Sequence, residues 1–400
     1  MGSSSSLRRF YRVGWLMALC GALCVALVGC DADTDGASPE PYAELRDLGL
    51  DRYLGVDQPI AEQAEEGVTV WSWAHDPGGD SPGCLRGDPY YASSRKADSD
   101  NLVVFLQGGG ACWSDFCLAF DKATKGVPPI DVLDPDLAVN PVRGWNMVYL
   151  PYCDGGLFAG DARIDDDGDG QVDRDYRGLR NLSAALSAAK AAFPSPKRIL
   201  LAGSSGGGFG LVLGLPLARM VWPDAELMVM NDSGVGVAKS GDPAFIQQLL
   251  KEFGASDLVP ASCEGCFDDG HLTNLLRWSL ERDPTVRMAA FSSMRDYVIA
   301  NLFLQTEPAK FETALRAEMA ELEAAFPGRF AAFLTLGTSH TALLGDISGF
   351  TSSTSSSVAA LGSFLGGLTT TETDGVQFSS WFKAFIEGGE QWRPISPSAQ

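Results

Sequence analysis

The residues best suited to chemistry lie in one glycine-rich segment, Gly203-Ser204-Ser205-Gly206-Gly207. It follows the apolar run 199–202 and opens a helical pattern, which is the strand, turn and helix context of a nucleophile elbow. The flanking glycines leave room for a sharp turn, so that Ser205 can point its hydroxyl out from the end of a strand. A phosphate-binding helix start is the alternative, but no lysine follows the segment and G-x-G-x-x-G is absent.

A serine nucleophile needs hydrogen-bond donors for the oxyanion that its attack creates. The apolar run 102–106 is followed by Gln107 and three glycines, and a glycine loop at such a position supplies backbone N–H groups. We therefore expect the N–H groups of Gly109, Gly110 and Gly206 to form the oxyanion hole.

The serine also needs a general base, and the chain has three histidines, His75, His271 and His340. In folds built around this elbow the order is nucleophile, acid, histidine, which excludes His75. His340 comes four residues after the apolar run 333–336, where the late histidine of such folds lies. His271 follows an acidic segment and is expected to start a helix at the surface. His340 is the predicted base.

Two aspartates compete for the acid, because both Asp232 and Asp296 lie between serine and histidine and chain order does not decide. Asp296 comes five residues after the run 288–291, the strand directly before the histidine strand, which favours it. Asp232 follows the run 227–230, and its other interpretation is a capping or loop-shaping carboxylate.

The elements that position these residues alternate between apolar runs and helical patterns. Continuous apolar strands are typical of a sheet that is buried on both faces, so we predict an α/β fold with a doubly wound, mostly parallel sheet and helices on both faces. A Ser-, Thr- and Gly-rich stretch at 345–375 predicts a long surface insertion. The helical patterns lie at 179–192, 211–221, 310–325 and 378–388, and a further apolar run lies at 147–150.

The composition excludes several classes of protein and one class of partner. The chain has 400 residues, 45% of them hydrophobic, and a formal net charge of −21. A disordered, collagen-like or coiled-coil protein is excluded, and nucleic acid is excluded as a partner because phosphate neutralisation needs clustered cations.

The first residues predict export. Residues 1–29 run from cationic through apolar to small residues and read as a secretory signal of the bacterial lipoprotein type. Cys30 would carry the lipid and anchor the protein to a membrane of the bacterial cell envelope, on its periplasmic or cell-surface side. An ordinary cleaved signal is the alternative. Residues 30–66 are acidic and read as a tether with an N-terminal arm, and residues 67–400 as the catalytic domain.

Apart from Cys30, six cysteines remain after export, and an oxidising compartment favours disulfides. Short spacing pairs Cys112 with Cys117 and Cys263 with Cys266, which leaves Cys84 for Cys153. A zinc site built from the two local pairs is the alternative.

An acidic loop at 165–176 follows the spacing of a calcium-binding loop, with Gly170 at its sixth position. We expect it to hold a structural Ca²⁺, while catalysis itself needs no cofactor. A solvated acidic loop is the alternative. The expected ligands are Asp165, Asp167, Asp169, Gln171 and Asp173.

Taken in order, several of these segments resemble the pectin acetylesterase/Notum family of extracellular carboxylesterases. The resemblance implies an α/β-hydrolase fold and metal-independent ester cleavage, with Ser205 as nucleophile, Asp296 as acid and His340 as base. It also supports the pair Cys84–Cys153. Gln107 and Ala111 stand where the family often has Glu and Trp, so substrate identity does not carry over. The resembling segments are 105–112, 149–156, 203–208, 231–234, 291–297 and 339–340.

The resulting hypothesis is an exported, membrane-anchored serine carboxylesterase. Its partners would be an acylated small molecule, a glycan or a lipid-modified substrate, with O-acetyl or another O-acyl group on a glycan as the first choice. A lipase or peptidase on the same fold is one alternative. A catalytically inactive, glycan-binding surface lipoprotein is the other.

Overall fold

The computed structural model describes residues 40–63, 67–74, 76, 79–345 and 364–398. The predicted signal at 1–29, the predicted lipid site Cys30, His75 and the centre of the insertion, 346–363, lie outside the described residues. Within the described ranges, no helix has both the length and the apolar character needed to cross a membrane.

Nine strands form one central sheet in the order β1-β2-β3-β5-β4-β6-β7-β8-β9. Strands β4 to β9 run parallel to their neighbours, while β1, β2 and β3 add an antiparallel edge that joins at β5. The strands are β1 Ile60–Gln63, β2 Val68–Ser72, β3 Tyr91–Arg95, β4 Asn101–Leu106, β5 Asn146–Leu150, β6 Arg198–Ser204, β7 Glu226–Asp232, β8 Arg287–Ser293 and β9 Phe330–Thr335.

The six parallel strands are the six apolar runs of the sequence, and their central residues are fully buried. The three antiparallel strands were not predicted, because their short runs mix polar and apolar residues. In β3, for example, serines occupy two buried positions.

Helices cover both faces of the sheet. Gly214 of α3 lies over Leu201 of β6, whereas Phe378 of α7 packs against Phe291 and Phe333 on the opposite face. The protein therefore has the expected α/β-hydrolase-like fold. The helices are α1 Ala43–Asp47, α2 Gly178–Ala192, α3 Gly206–Val221, α4 Phe245–Glu252, α5 Thr273–Arg282, α6 Pro308–Ala325 and α7 Phe378–Glu387.

Residues 40–63, within the segment interpreted as tether and N-terminal arm, belong to the compact unit that extends from Glu40. Tyr42, Leu45 and Leu50 are buried, and the Tyr42 hydroxyl donates to the backbone oxygen of Ser279. These apolar side chains are few and scattered in an acidic segment, so their burial was not predicted.

The described part of the predicted surface insertion, 364–375, packs on the domain instead of standing away from it. Leu368 is fully buried. The Asp131 carboxylate accepts the N–H groups of Gly345 and Leu368 and so joins the two segments that flank the undescribed centre.

The described residues contain three disulfide bonds, Cys84–Cys153, Cys112–Cys117 and Cys263–Cys266, and they are the pairs expected from the spacing. The same sulfur atoms are therefore not available as zinc thiolates. Cys112–Cys117 crosses a two-stranded ribbon, Gly110–Trp113 with Phe116–Ala119, that directly follows the glycine loop.

Candidate active site

Ser205 occupies the sharp turn between β6 and α3. Its φ is +55°, a conformation that side chains rarely adopt, and its N–H donates to the backbone oxygen of Asp232 at 2.7 Å. A Cβ at Gly207 would come 2.0 Å from the Leu106 carbonyl oxygen, so the turn closes only with glycine there. The strained serine on a tight turn is the geometry that the sequence predicts for a nucleophile.

His340 and Asp296 form a buried pair. The distance from His340 Nδ1 to Asp296 Oδ2 is 2.7 Å, and the two side chains are 3% and 0% exposed. The other carboxylate oxygen accepts the Ile299 N–H at 3.0 Å. The Nδ1 contact fixes the ring so that Nε2 is the free nitrogen, and this buried Nε2 has no hydrogen-bond partner among the described residues.

The histidine loop is held by the segment that follows the undescribed part of the chain. The His340 N–H donates to the Phe364 carbonyl at 2.6 Å, and the Gly366 N–H donates to the His340 carbonyl at 2.9 Å. The Phe364 ring also stacks on Tyr297, next to the acid, with ring centroids 4.4 Å apart. The insertion therefore helps to position the imidazole.

The glycine loop lies directly against the nucleophile. A Cβ at Gly108 would be 2.7 Å from Ser205 Cβ, and a Cβ at Gly206 would be 3.2 Å from the Gly110 carbonyl oxygen. Gly110 has a φ of +84°, and any side chain there would collide with the Leu118 carbonyl at 1.8 Å. The N–H groups proposed as oxyanion donors thus belong to two segments in contact, the loop and the first turn of α3.

Asp232, the alternative acid, has a different set of partners. Its Oδ2 accepts the Ser204 hydroxyl at 2.6 Å and the Leu343 N–H at 2.9 Å, while Oδ1 accepts the Ala342 N–H at 2.9 Å. Since its backbone oxygen also accepts the Ser205 N–H, Asp232 ties the nucleophile turn to the loop that carries His340. Burial raises the pKa of Asp232 to about 6, against the opposing effect of these donors.

Asp154 is a buried acid that the sequence analysis did not single out. It follows β5, and its carboxylate accepts the N–H groups of Gly156 and Phe158 at 2.9 and 3.2 Å. Burial raises its pKa to about 7. These contacts hold Leu157 and Phe158, both at a φ of +59°, against the active site. In the sequence, the signal that could have identified Asp154 is its position directly before two glycines.

Beside Ser205 lies a small apolar cavity of about 30 Å³. The glycine loop contributes Gly110 and Ala111, and a π-helical segment after the acid, Tyr297–Phe303, contributes apolar side chains. Phe209, one turn after Ser205 in α3, lines the same cavity. No charged side chain lines it, so the part of a substrate that enters must be apolar.

His271 is not part of the site. Its Nδ1 accepts the Ala238 N–H at 3.3 Å and lies 3.5 Å from a Glu318 carboxylate oxygen. It precedes α5, close to where the sequence predicted a helix start. Of the two described histidines, His340 is the one whose Nδ1 is within hydrogen-bond distance of an aspartate, at 2.7 Å from Asp296 Oδ2.

The acidic loop lies between the strands of a second ribbon, Ala162–Ile164 with Arg174–Tyr176. Asp165, Asp167 and Asp173 each place one carboxylate oxygen within 4.8 Å of the others. Asp169 lies outside this group, and its carboxylate accepts the Gln171 N–H. Three converging carboxylate oxygens are suited to a hard cation such as Ca²⁺.

The loop is linked to the active-site ribbon. Arg174 forms ion pairs with Asp166 in the loop and with Glu252 in α4, and it donates to the Tyr176 hydroxyl at 2.7 Å. That hydroxyl in turn donates to the Cys112 carbonyl at 2.7 Å. The acidic loop is therefore connected, through Arg174 and Tyr176, to the segment that follows the glycine loop.

Taken together, the site has the parts of a serine acyl-transfer centre. A strained serine, a buried histidine with a free Nε2, an acid on Nδ1 and a glycine loop in contact with the serine are the groups that such chemistry requires.

Comparison with known proteins gives two matches. Residues 80–255, which include the glycine loop and Ser205, match the pectinacetylesterase (PAE) family. Palmitoleoyl-protein carboxylesterase notum1 of Xenopus laevis is 26% identical over 238 residues, which cover 50% of this chain and 46% of that protein. The matched region thus spans about half the length of this curated relative.

Proposed function

We propose that this chain belongs to the pectin acetylesterase/Notum family and is a serine carboxylesterase, and the two matches support both parts of the proposal. The observation that carries the proposal is the buried His340–Asp296 pair, with its free Nε2, in a fold whose elbow presents Ser205 in a strained turn. Such an arrangement serves nucleophilic attack on an acyl carbon.

In the first half of the reaction, His340 Nε2 takes the Ser205 proton while the hydroxyl oxygen attacks the ester carbonyl. Asp296 stabilises the imidazolium that forms and keeps the proton on Nδ1. The N–H groups of Gly109, Gly110 and Gly206 stabilise the oxyanion. His340 then protonates the alcohol oxygen, which leaves with the carbon–oxygen bond broken.

In the second half, water enters and His340 Nε2 takes one of its protons. The hydroxide attacks the acyl-enzyme, the same donors stabilise the second oxyanion, and the proton returns to Ser205 as the acid leaves. All steps use groups of this chain, so the proposal includes no catalytic cofactor.

For the substrate we propose an O-acyl ester, with acetyl or a similar group on a glycan or related alcohol. The apolar cavity beside Ser205 supports an uncharged acyl group, and the family name supports an acetyl ester. We also propose export, which the disulfides support, and anchoring through a lipid on Cys30, which the signal-like segment supports. Exchange of Cys30 for serine should then release the protein from membranes.

We further propose a structural Ca²⁺ on Asp165, Asp167 and Asp173, completed by the backbone of Gln171 and by Asp169 after a change of its side-chain position. The convergence of the first three carboxylates supports this. Bound there, the cation would reduce the repulsion between the carboxylates and so stabilise the loop that carries the Arg174–Tyr176 hydrogen bond.

The test of the esterase proposal is hydrolysis of p-nitrophenyl acetate by the wild type and by Ser205→Ala. We expect turnover to fall by at least about 10⁴-fold in the variant, because nucleophile and base act as a unit. The melting temperature should stay near that of the wild type. A Ser205→Ala variant that keeps its activity, or a wild type that cleaves no ester, amide or lipid substrate, would contradict the proposal.

A further inference from the structure

Two apolar cavities lie side by side below the nucleophile. The first is the cavity of about 30 Å³ that begins at Ser205. The second, of about 50 Å³, is lined by α3, α4 and residues 253–259. Two residues, Phe209 and Leu157, line both cavities and therefore form the wall between them.

Phe209 is placed on this wall by the helix itself. Four residues after Ser205, it lies on the same side of α3, and its N–H donates to the Ser205 carbonyl at 3.1 Å. Its ring packs against Phe303 with centroids 5.2 Å apart, and Phe303 lines only the first cavity. The aromatic ring therefore closes the end of the first cavity.

Leu157 is fixed on the other side of the wall by its backbone. Its φ is +59°, and its N–H donates to the Tyr152 hydroxyl at 3.1 Å. The next residue, Phe158, is held by the Asp154 carboxylate. These contacts fix the backbone of Leu157, and therefore the position from which its side chain enters the wall.

The second cavity is as apolar as the first. Its lining includes Leu213 and Ile246 from α3 and α4, and Leu272 from the segment before α5, and no charged residue is among the groups that line it. A hydrocarbon chain that crossed the wall would be buried there at a gain of about fourfold in binding per methylene. In the wild type the wall prevents this.

Resting on the proposed esterase function, we propose that Phe209 and Leu157 set the acyl-chain length of the substrate. The acyl group of the acyl-enzyme starts at Ser205, runs into the first cavity and ends at the wall. The wild type is therefore an esterase for short, uncharged acyl groups, from acetyl to butyryl. The second cavity is an extension that opens only when the wall is shortened.

The experiment is a series of p-nitrophenyl esters from acetyl through butyryl and octanoyl to dodecanoyl, with kcat/KM measured for each. The wild type should favour acetyl to butyryl. Phe209→Ala should raise the octanoyl-to-butyryl ratio of kcat/KM on the order of 100-fold, from four further methylenes at about fourfold each. Phe209→Leu should give a smaller rise, and it serves as the milder variant if the alanine variant does not fold.

Leu213→Phe supplies the matched control, because Leu213 lines the second cavity alone. By itself it should leave acetyl ester hydrolysis within about twofold of the wild type. Combined with Phe209→Ala, it should refill the second cavity and return the ratio toward the wild-type value. This reversal separates a true extension of the acyl pocket from general loosening of the site.

The outcomes distinguish failure of the proposed limit on acyl-chain length from failure of the proposed esterase function. Two results would refute the role of Phe209 and Leu157 in limiting acyl-chain length while leaving the esterase function intact. One is a wild type that favours dodecanoyl esters. The other is folded Phe209 variants with an unchanged octanoyl-to-butyryl ratio of kcat/KM. Absence of ester hydrolysis in every variant, together with no reaction of Ser205 with a fluorophosphonate, would overturn the esterase function itself.

Discussion

The assignment of the acid predicts opposite behaviour for two buried aspartates. In Asp296→Asn the side chain keeps its shape but loses its charge next to His340. In Asp232→Asn the charge lost belongs to a carboxylate that contacts the histidine loop, not the ring. The two substitutions are chemically identical, so each is the control for the other.

The expected loss for Asp296→Asn follows from the contact distance. At 2.7 Å and an effective dielectric constant of about 20, a carboxylate stabilises an imidazolium by about 6 kcal/mol. This corresponds to a factor of about 10⁴ in kcat, because the imidazolium exists in the transition state but not in the resting enzyme. The loss should appear in kcat, with KM little changed.

For Asp232→Asn the main cost is in stability. Ala342 and Leu343 donate to different oxygens of the carboxylate, so either orientation of the amide places its NH₂ against a backbone donor. One buried N–H without an acceptor costs about 1–3 kcal/mol. We expect a lower melting temperature and, through displacement of the histidine loop, at most about a 10²-fold loss in kcat.

The assay is stopped-flow hydrolysis of p-nitrophenyl acetate, with thermal unfolding followed by circular dichroism on the same preparations. The reasoning is refuted if Asp232→Asn loses about 10⁴-fold at an unchanged melting temperature while Asp296→Asn stays active. In that case the acid would be Asp232, and the His340 contact seen here would be incidental.

Three further predictions concern the supports of the site. Because the folded-state pKa of Asp154 is raised to about 7 from 3.8, this carboxyl should contribute a loss of up to about 4 kcal/mol of unfolding free energy as pH rises from 4 to 8, and that part of the wild-type slope should be missing from Asp154→Asn in urea titrations. Millimolar Ca²⁺ should raise the melting temperature of the wild type but not of Asp165→Asn; equal shifts in both would exclude the proposed ligand set. Serine at both Cys112 and Cys117 should lower kcat at least about tenfold for a stability loss of only about 2 kcal/mol, since the closed loop is short but adjoins the oxyanion donors. A large stability loss at unchanged kcat would contradict this last prediction.

The sequence was most informative where burial is continuous. Strands β4 to β9 are uninterrupted apolar runs, and a run of this kind between helical patterns has few other places in a fold. The antiparallel edge was missed because serines in β3 are buried against other strands, and local polarity carries no sign of that. For the same reason the buried Tyr42 in the acidic N-terminal segment was not foreseen.

Within the site, the elbow motif identified Ser205, and chain order together with the preceding strand identified His340, but chain order left Asp232 and Asp296 open. Both follow neighbouring parallel strands, so both reach the same edge of the sheet. What separates them is the partner of each carboxylate oxygen, which depends on how the histidine loop folds back over β7. The roles of Asp154 and Phe209 could not be predicted for the same reason, because they depend on packing between segments that are far apart in the chain.

The central claim is that Ser205 is the nucleophile of an acyl-transfer reaction. Its most direct test is labelling of the native protein with a fluorophosphonate, followed by peptide mass spectrometry. We expect a single phosphonylated site, on Ser205. Prior heat denaturation should prevent this labelling, and His340→Ala should greatly slow it. Labelling on another serine, or on none in a protein that still hydrolyses esters, would contradict the account.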